Sequence, residues 1–363
     1  MPSSDLVRRL RVLPVALAML VVGATQPPTT VPLRPTHPMV GFTFIPDLAI
    51  DQGYEPASAL AQLLRKLHPD LVRIPIYWDA VAPTSDRLDF SEVDSLLGTV
   101  AAGNARHRTR QVQVILVVGV RNLAWPEVHL PAWARSGASL DLAQITASSE
   151  YTNYLAGSFQ HYATSPVLLA WQIENEPLDN TNDNLGAVAL DGGVVADEVA
   201  LLKTIDPIHR AIVTTYDSAS VSLDLEATSS IAWLFNLLPG PKPVGHPAPA
   251  LQLADILGLD VYVATPSTPL AEASIAERIG WKATALSYWA GEAGNNGKEV
   301  WITEMQGSPW SGEAGFSQED LLESAQLYSG TGVSAVLLWG VESWLDSPDW
   351  MEAGQAAIAT LRT

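Results

Sequence analysis

The run Val167-Leu168-Leu169-Ala170-Trp171-Gln172-Ile173-Glu174-Asn175-Glu176-Pro177 decides how the rest of the chain is read. It opens as an apolar strand and stops abruptly at an Asn-Glu pair followed by proline. Pro177 offers no N–H to a sheet ladder and biases Glu176 away from the helical region, so the strand ends there. Glu176 is therefore expected at the mouth of a buried strand, fixed by the scaffold but still reached by solvent. A second run, Val300-Trp301-Ile302-Thr303-Glu304, repeats the design and delivers one more glutamate. Two acids at the ends of distant strands are a candidate acid–base pair.

Working outward, short runs rich in Val, Ile and Leu recur at 39–44, 71–75, 112–118, 167–173, 211–215, 256–263, 300–303 and 335–339. Continuous apolar runs of this length suit strands covered on both faces. Helical segments lie between them at 56–67, 91–103, 149–163, 194–205, 273–292 and 318–329, with a last one at 351–361. Eight strands, nearly all separated by helices, predict an α/β fold: a (β/α)8 TIM barrel, one domain over 39–363. An open doubly wound sheet is the alternative. Residues 218–253 give no clear fifth helix, and their Pro-rich part, 239–249, reads as a long loop or small excursion. Gly291-Glu292-Ala293-Gly294-Asn295-Asn296-Gly297-Lys298 has the wrong glycine spacing for a phosphate loop and reads as a turn before the seventh strand.

Composition narrows the function classes. Of 363 residues 47% are apolar, and 39 acidic against 20 basic side chains give a formal charge of −19. No basic stripe is available to neutralise phosphates, which disfavours nucleic acid or an anionic membrane surface as partner. The absence of cysteine excludes disulfides, thiolate metal sites and cysteine nucleophiles. The seven histidines are scattered without a His-Glu-x-x-His pattern, so neither a metal nor a cofactor is expected. No Gly-x-Ser-x-Gly elbow occurs either.

The front end reads as a targeting segment. Arg8, Arg9 and Arg11 precede an apolar run over 12–22, followed by Gly23 and Ala24. That pattern predicts an export signal over 1–24, with an uncleaved anchor as the alternative. Removing it takes away three arginines and Asp5, a net +2, and leaves −21. Residues 25–38 are a Pro/Thr-rich spacer, expected to be extended. The mature protein is expected outside the cell or in its envelope, as a monomer without stable membrane insertion.

In a (β/α)8 barrel the chemistry lies at the carboxyl ends of the strands. Reading only those ends collects Arg73, Tyr77 and Trp78; Arg121, Asn122 and Trp125; Asn175 and Glu176; Tyr216 and Asp217; Asp260 and Tyr262; Glu304; and Trp339 with Glu342. This set resembles the cellulase-type clan of retaining (β/α)8 glycoside hydrolases. The resemblance spans 39–363, and its specific part is confined to the strand ends. It implies that Asn175-Glu176 closes strand four and that the nucleophile Glu304 closes strand seven. It also implies an arginine after strand two (Arg73), a tyrosine on strand six (Tyr262) and a tryptophan ending strand eight (Trp339). Two positions depart from the pattern. Arg121-Asn122 stand where such proteins often carry a histidine after strand three, and Asp260 stands where many have one on strand six.

The chemistry expected from that set is double displacement on an oligosaccharide or polysaccharide, β-linked and largely neutral. Glu176 serves as general acid/base and Glu304 as nucleophile, with carboxyls about 5–5.5 Å apart. Burial and the Glu304 charge are expected to keep Glu176 protonated near neutral pH. Arg73 and Tyr262 are expected to donate to Glu304, Asn175 to bond a sugar hydroxyl, and Trp339 to underlie a sugar ring. Trp78 and Trp125 are expected to bind substrate from loops on the same side, where Trp133, Trp310 and Trp344 also fall. Strand alternation puts Glu174 on the side of Glu176, in a supporting position or paired with a cation. A catalytically silent sugar-binding barrel and a transglycosylase are the competing readings.

Overall fold

Eight short strands hydrogen-bond side by side, in chain order, into a closed barrel. They are β1 (Met39–Thr43), β2 (Leu71–Pro75), β3 (Gln113–Val118), β4 (Leu168–Ile173), β5 (Arg210–Asp217), β6 (Ile256–Val261), β7 (Glu299–Gln306) and β8 (Ala335–Trp339). The computed structural model describes residues 37–107, 111–135, 141–179, 189–217, 245–264, 274–309 and 315–363, without the side chains of Tyr216 and Asp217. The signal segment, Trp310 and residues 218–244 lie outside the described residues, as does the spacer up to residue 36. No helix of the described residues is long and apolar enough to cross a membrane.

All neighbouring strands are parallel, including the closing pair β1 and β8. Parallel neighbours need a crossover, which the helices supply. After β1 come α1 (Pro46–Asp51) and α2 (Pro56–Leu67); after β2, α3 (Trp78–Val81) and α4 (Ser91–Arg106). After β3 come α5 (Leu142–Thr146) and α6 (Ser149–Tyr162), and after β4 comes α7 (Gly192–Ile205). The short α8 (Pro247–Leu253) precedes β6; α9 (Ile275–Asn295), α10 (Gln318–Ser329) and α11 (Pro348–Leu361) follow β6, β7 and β8. The sequence marks several helix starts: Ser274 with Glu277 and Ser317 with Asp320 form reciprocal capping boxes on α9 and α10.

The strands carry their residues in layers. Leu71, Ile115, Ala170, Ile212, Ile256 and Trp301 form one buried apolar cluster. Two positions on, and so on the same face of each strand, stand Arg73, Gln172, Thr214 and Thr303, all buried. An apolar floor thus supports a polar layer nearer the strand exits. A second apolar core fills the space between sheet and helices and holds Leu60, Leu63, Trp171, Leu286 and Leu338.

Four expectations change. Residues 247–253 are helical, because Pro247 at the first position of α8 costs it no hydrogen bond. Helix α9 runs through Gly291 and Gly294 to Asn295, and the turn is confined to Asn296 and Gly297, with φ +68° at Gly297. Strand β7 continues to Gln306, so Glu304 lies inside the strand instead of closing it. Strand β6 ends at Val261, so Tyr262 follows the strand.

Candidate active site

Glu304 reaches the lumen through an irregularity. Leu259 pairs with Ile302, but the next residue, Asp260, pairs with Glu304, so Thr303 is an extra residue on β7. Such a bulge lets two consecutive side chains serve the same interior. Thr303 donates to Asp260 Oδ1 at 2.6 Å, while Glu304 is held by Arg73 and Tyr262. Gly258 makes the room: a Cβ there would meet Thr214 and Thr303 side-chain atoms at 2.7 Å.

Arg73 organises this layer. Its guanidinium donates to Thr43 Oγ1 at 2.9 Å, Gln172 Oε1 at 2.8 Å and Glu304 Oε1 at 2.7 Å. The Tyr262 hydroxyl donates to the other oxygen of Glu304. Burial raises the Glu304 pKa, while Arg73 and then Tyr262 pull it down. With both oxygens facing donors, Glu304 is the carboxyl set up to carry charge. Trp339 lies half-buried at the end of β8, its ring centroid 5.8 Å from the Arg73 guanidinium carbon.

Glu176 enters from β4 through an unusual turn. Glu174 and Glu176 both have left-handed backbones, with φ +60° and +46°. That is uncommon for a side-chain-bearing residue and departs from the extended conformation expected before Pro177. The turn is pinned by Glu174 N–H to Val118 O at 2.7 Å, Asn175 N–H to Arg121 O at 3.0 Å and Glu176 N–H to Thr214 Oγ1 at 2.8 Å. Gln172 donates to the Asn175 side-chain oxygen at 3.1 Å, so Asn175 and Arg73 are linked through one amide.

The left-handed turn also redirects Glu174. Its carboxylate accepts from Val120 N–H at 2.9 Å, Arg121 N–H at 2.6 Å and Tyr151 OH at 2.6 Å. It therefore supports the loop after β3, and alternation fails to predict its direction because the strand has already ended. Gly119, at φ +141°, leaves the space; a Cβ there would lie 2.4 Å from the Glu174 carboxyl carbon. Burial lifts the Glu174 pKa to about 7 against its hydrogen bonds. Arg121, also buried, bonds Asp179 O and Glu127 Oε2, each at 2.7 Å, and so ties the β3 and β4 exits together.

One carboxylate oxygen from each of Glu176, Asp260 and Glu304 lies within 4.8 Å of the other two. All three side chains are buried. Burial pushes Glu176 well above the ordinary carboxylate range, and the charges of Glu127, Asp260, Glu304 and Asp179 add to the rise. The arrangement therefore pairs a carboxyl raised well above its ordinary range with one that is raised by burial but whose charged form an arginine and a tyrosine stabilise, the electronic asymmetry that double displacement uses.

The tryptophans divide. Trp125 is 61% exposed in the loop after β3 and can offer its face to a ligand. Trp78 is a correction: it starts α3, is 1% exposed, and packs against Tyr151 and Tyr154 with ring centroids 5.2 and 5.7 Å away. A residue so enclosed serves packing and presents no face to substrate. Trp344 is likewise buried, its indole N–H bonded to Gly307 O and Ser308 Oγ, and Trp133 donates to Ala82 O at 2.8 Å. Sequence reading missed Gln172 and Thr303 as parts of the site. Their only mark is polarity at inward positions of otherwise apolar strands.

No family model matches the sequence, and no curated protein matches it. Solved structures do. They are glycoside hydrolases, and what this chain shares with them is the fold, here a closed parallel barrel of eight strands. Among them, the GH5_18 protein of Streptomyces cattleya, crystallised with GlcNAc and as a variant with Manb1-4GlcNAc, aligns at 15% identity and TM-score 0.61, covering 90% of this chain and 80% of that one. GH5_18 from Bifidobacterium longum subsp. infantis aligns at 13% identity and TM-score 0.60, covering 90% and 78%. Gan42B, a GH42 beta-galactosidase from G. stearothermophilus, aligns at 13% identity and TM-score 0.58, covering 91% and 58%.

Proposed function

We propose that this chain is a retaining β-glycosidase acting on a largely neutral glycan, with Glu304 as nucleophile and Glu176 as general acid/base. The carrying observation is the close approach of the two carboxyls, oxygens within 4.8 Å, with Glu304 hydrogen-bonded to Arg73. Inverting enzymes separate their carboxyls by about 6.5–9.5 Å to admit a water, whereas retaining enzymes hold them at about 5–5.5 Å. Glu176 protonates the leaving oxygen while Glu304 attacks the anomeric carbon; Glu176 then takes a proton from water as the ester is hydrolysed. Asn175, positioned by Gln172, bonds the hydroxyl beside the anomeric carbon. Trp339 underlies the ring, and Trp125 receives sugars farther out. The −19 charge favours a neutral over an anionic substrate.

Residues 1–24 direct export in this reading, and a mature protein in the medium that lacks them is the expected observation. The ligands of the GH5_18 neighbour point the first substrate panel toward β-mannosides and β-N-acetylglucosaminides, with β-galactosides added from Gan42B. Aryl β-glycosides of these sugars, with the anomer of the first product read by NMR, test the proposal. The β anomer is expected; an α product refutes retention. Glu304→Gln and Glu176→Gln should each lose at least about a hundredfold in kcat while still folding, Glu304→Gln with a lower unfolding temperature because it leaves the buried Arg73 unpaired. Full turnover by either variant refutes its assignment.

A further inference from the structure

Three carboxyls share this site, and the two-step chemistry above uses two. Asp260 has no exposed surface, one oxygen bonded to Thr303 and the other without a hydrogen-bond partner. That oxygen makes no hydrogen bond, while a Glu176 carboxyl oxygen lies within 4.8 Å of the Asp260 carboxyl and favours its charged form. Arg73 and Tyr262 already occupy both oxygens of Glu304 as donors, which favours negative charge there over the other two carboxyls. A proton held by the trio therefore belongs to Glu176 and Asp260.

We propose that Asp260 is a positioning residue that shares the reactive proton with Glu176 and sustains Glu176 as a base once Glu304 is esterified. This rests on the glycosidase reading above. In the first step an oxygen lone pair of Glu304 forms the bond to the anomeric carbon. The bond to the leaving oxygen breaks, and that oxygen takes the proton of Glu176. The Glu304 charge, which adds to the burial and the other carboxylates that raise Glu176, is then gone. A lone acid/base would lose basicity when it has to deprotonate water. Nothing esterifies Asp260, and loss of the Glu304 charge removes one cause of its raised pKa, so it becomes the negative neighbour of Glu176 in the second step. In the second step Glu176 takes a proton from water, the water oxygen bonds to the anomeric carbon, and the electron pair of the ester bond returns to Glu304.

The other charged groups facing the pair do not substitute for Asp260. Glu127 is ion-paired with Arg121, and Asp179 is bonded by Thr215 and His246. Arg73 is committed to Glu304. Burial and the charge of Glu304 hold Asp260 well above its ordinary range, which suits a group that can take up the shared proton.

The test compares the parent with Asp260→Asn, which keeps the acceptor for Thr303 and removes the charge, on whichever aryl β-glycoside of the panel the parent hydrolyses. The basic limb of kcat/KM should move to lower pH by at least about one unit. Loss of base catalysis should lower kcat about tenfold while kcat/KM at the optimum changes little. Added azide, a nucleophile needing no base, should restore kcat. Thr303→Val, which takes the hydroxyl from Asp260, should shift the limb in the same direction by less and covers the case in which Asp260→Asn does not fold. An unchanged basic limb in both variants overturns the proposal and leaves the glycosidase reading intact. Parental activity lost to EDTA and restored by a divalent cation also overturns it, since the trio would then hold an ion. A parent inactive on every glycoside refutes both.

Discussion

Replacing Arg73 by methionine keeps the volume of a long side chain and removes every donor. Three buried acceptors, on Thr43, Gln172 and Glu304, lose their partner at once. Breaking one side of a buried ion pair costs about 3–5 kcal/mol, because the remaining charge is left without compensation. For a barrel of this size that is a fall of about 4–7 °C in unfolding temperature. The loss should depend on pH. Arg73 pulls the Glu304 pKa down, so without it the folded-state value rises further above the unfolded one. A carboxyl raised in this way contributes fully below its unfolded pKa and loses that contribution as pH climbs through the folded pKa. The gap between Arg73→Met and the parent should therefore be small near pH 4.5 and widen toward pH 8, with the acidic limb of kcat/KM moving up. Thermal unfolding at closely spaced pH values reads the first effect and initial rates read the second. A gap that stays constant across the range would refute the assigned charge on Glu304.

Burial lifts Glu174 and Glu342 to about 7, and it raises Glu176, Glu198 and Asp260 as well. Each of the first two contributes up to about 3 kcal/mol that is present below pH 4.5 and lost as pH rises through 7. The parent should accordingly melt at a higher temperature at pH 5 than at pH 8.5; the reverse order would count against these buried acids. Tyr151→Phe removes the hydroxyl between Glu174 and Glu198 and should cost about 1–3 kcal/mol by denaturant titration. Trp339→Ala should lower kcat/KM about tenfold, while Trp125→Ala should raise KM and move stability by less than about 0.5 kcal/mol. Equal stability losses in the two tryptophan variants would contradict their different placement.

The strands and the functional ends of the chain were legible because a strand buried on both faces leaves a continuous apolar run, and a polar residue at its end stands out. Glu176, Glu304 and Arg73 stand out on that ground, and the structure brings their side chains together. Trp78 was misread because the sequence around it resembles a loop, while what encloses it, Tyr151 and Tyr154, is contributed by a helix encoded more than 70 positions later. The direction of Glu174 was lost to a left-handed turn that alternation does not describe. Thr303 and Gln172 are ordinary residues until the bulge on β7 and the reach of Arg73 give them partners. Those are properties of the closed sheet, and no local window contains them.

The guanidinium of Arg73 laces β1, β4 and β7 together across the lumen, though none of these strands adjoins another. A descendant of this protein could not discard Glu304 alone without stranding a cation in the middle of its fold. Natural drift at this site would have to alter positions 73 and 304 together. A sequence that keeps the arginine with a neutral partner should survive only where another acid has moved in beside it.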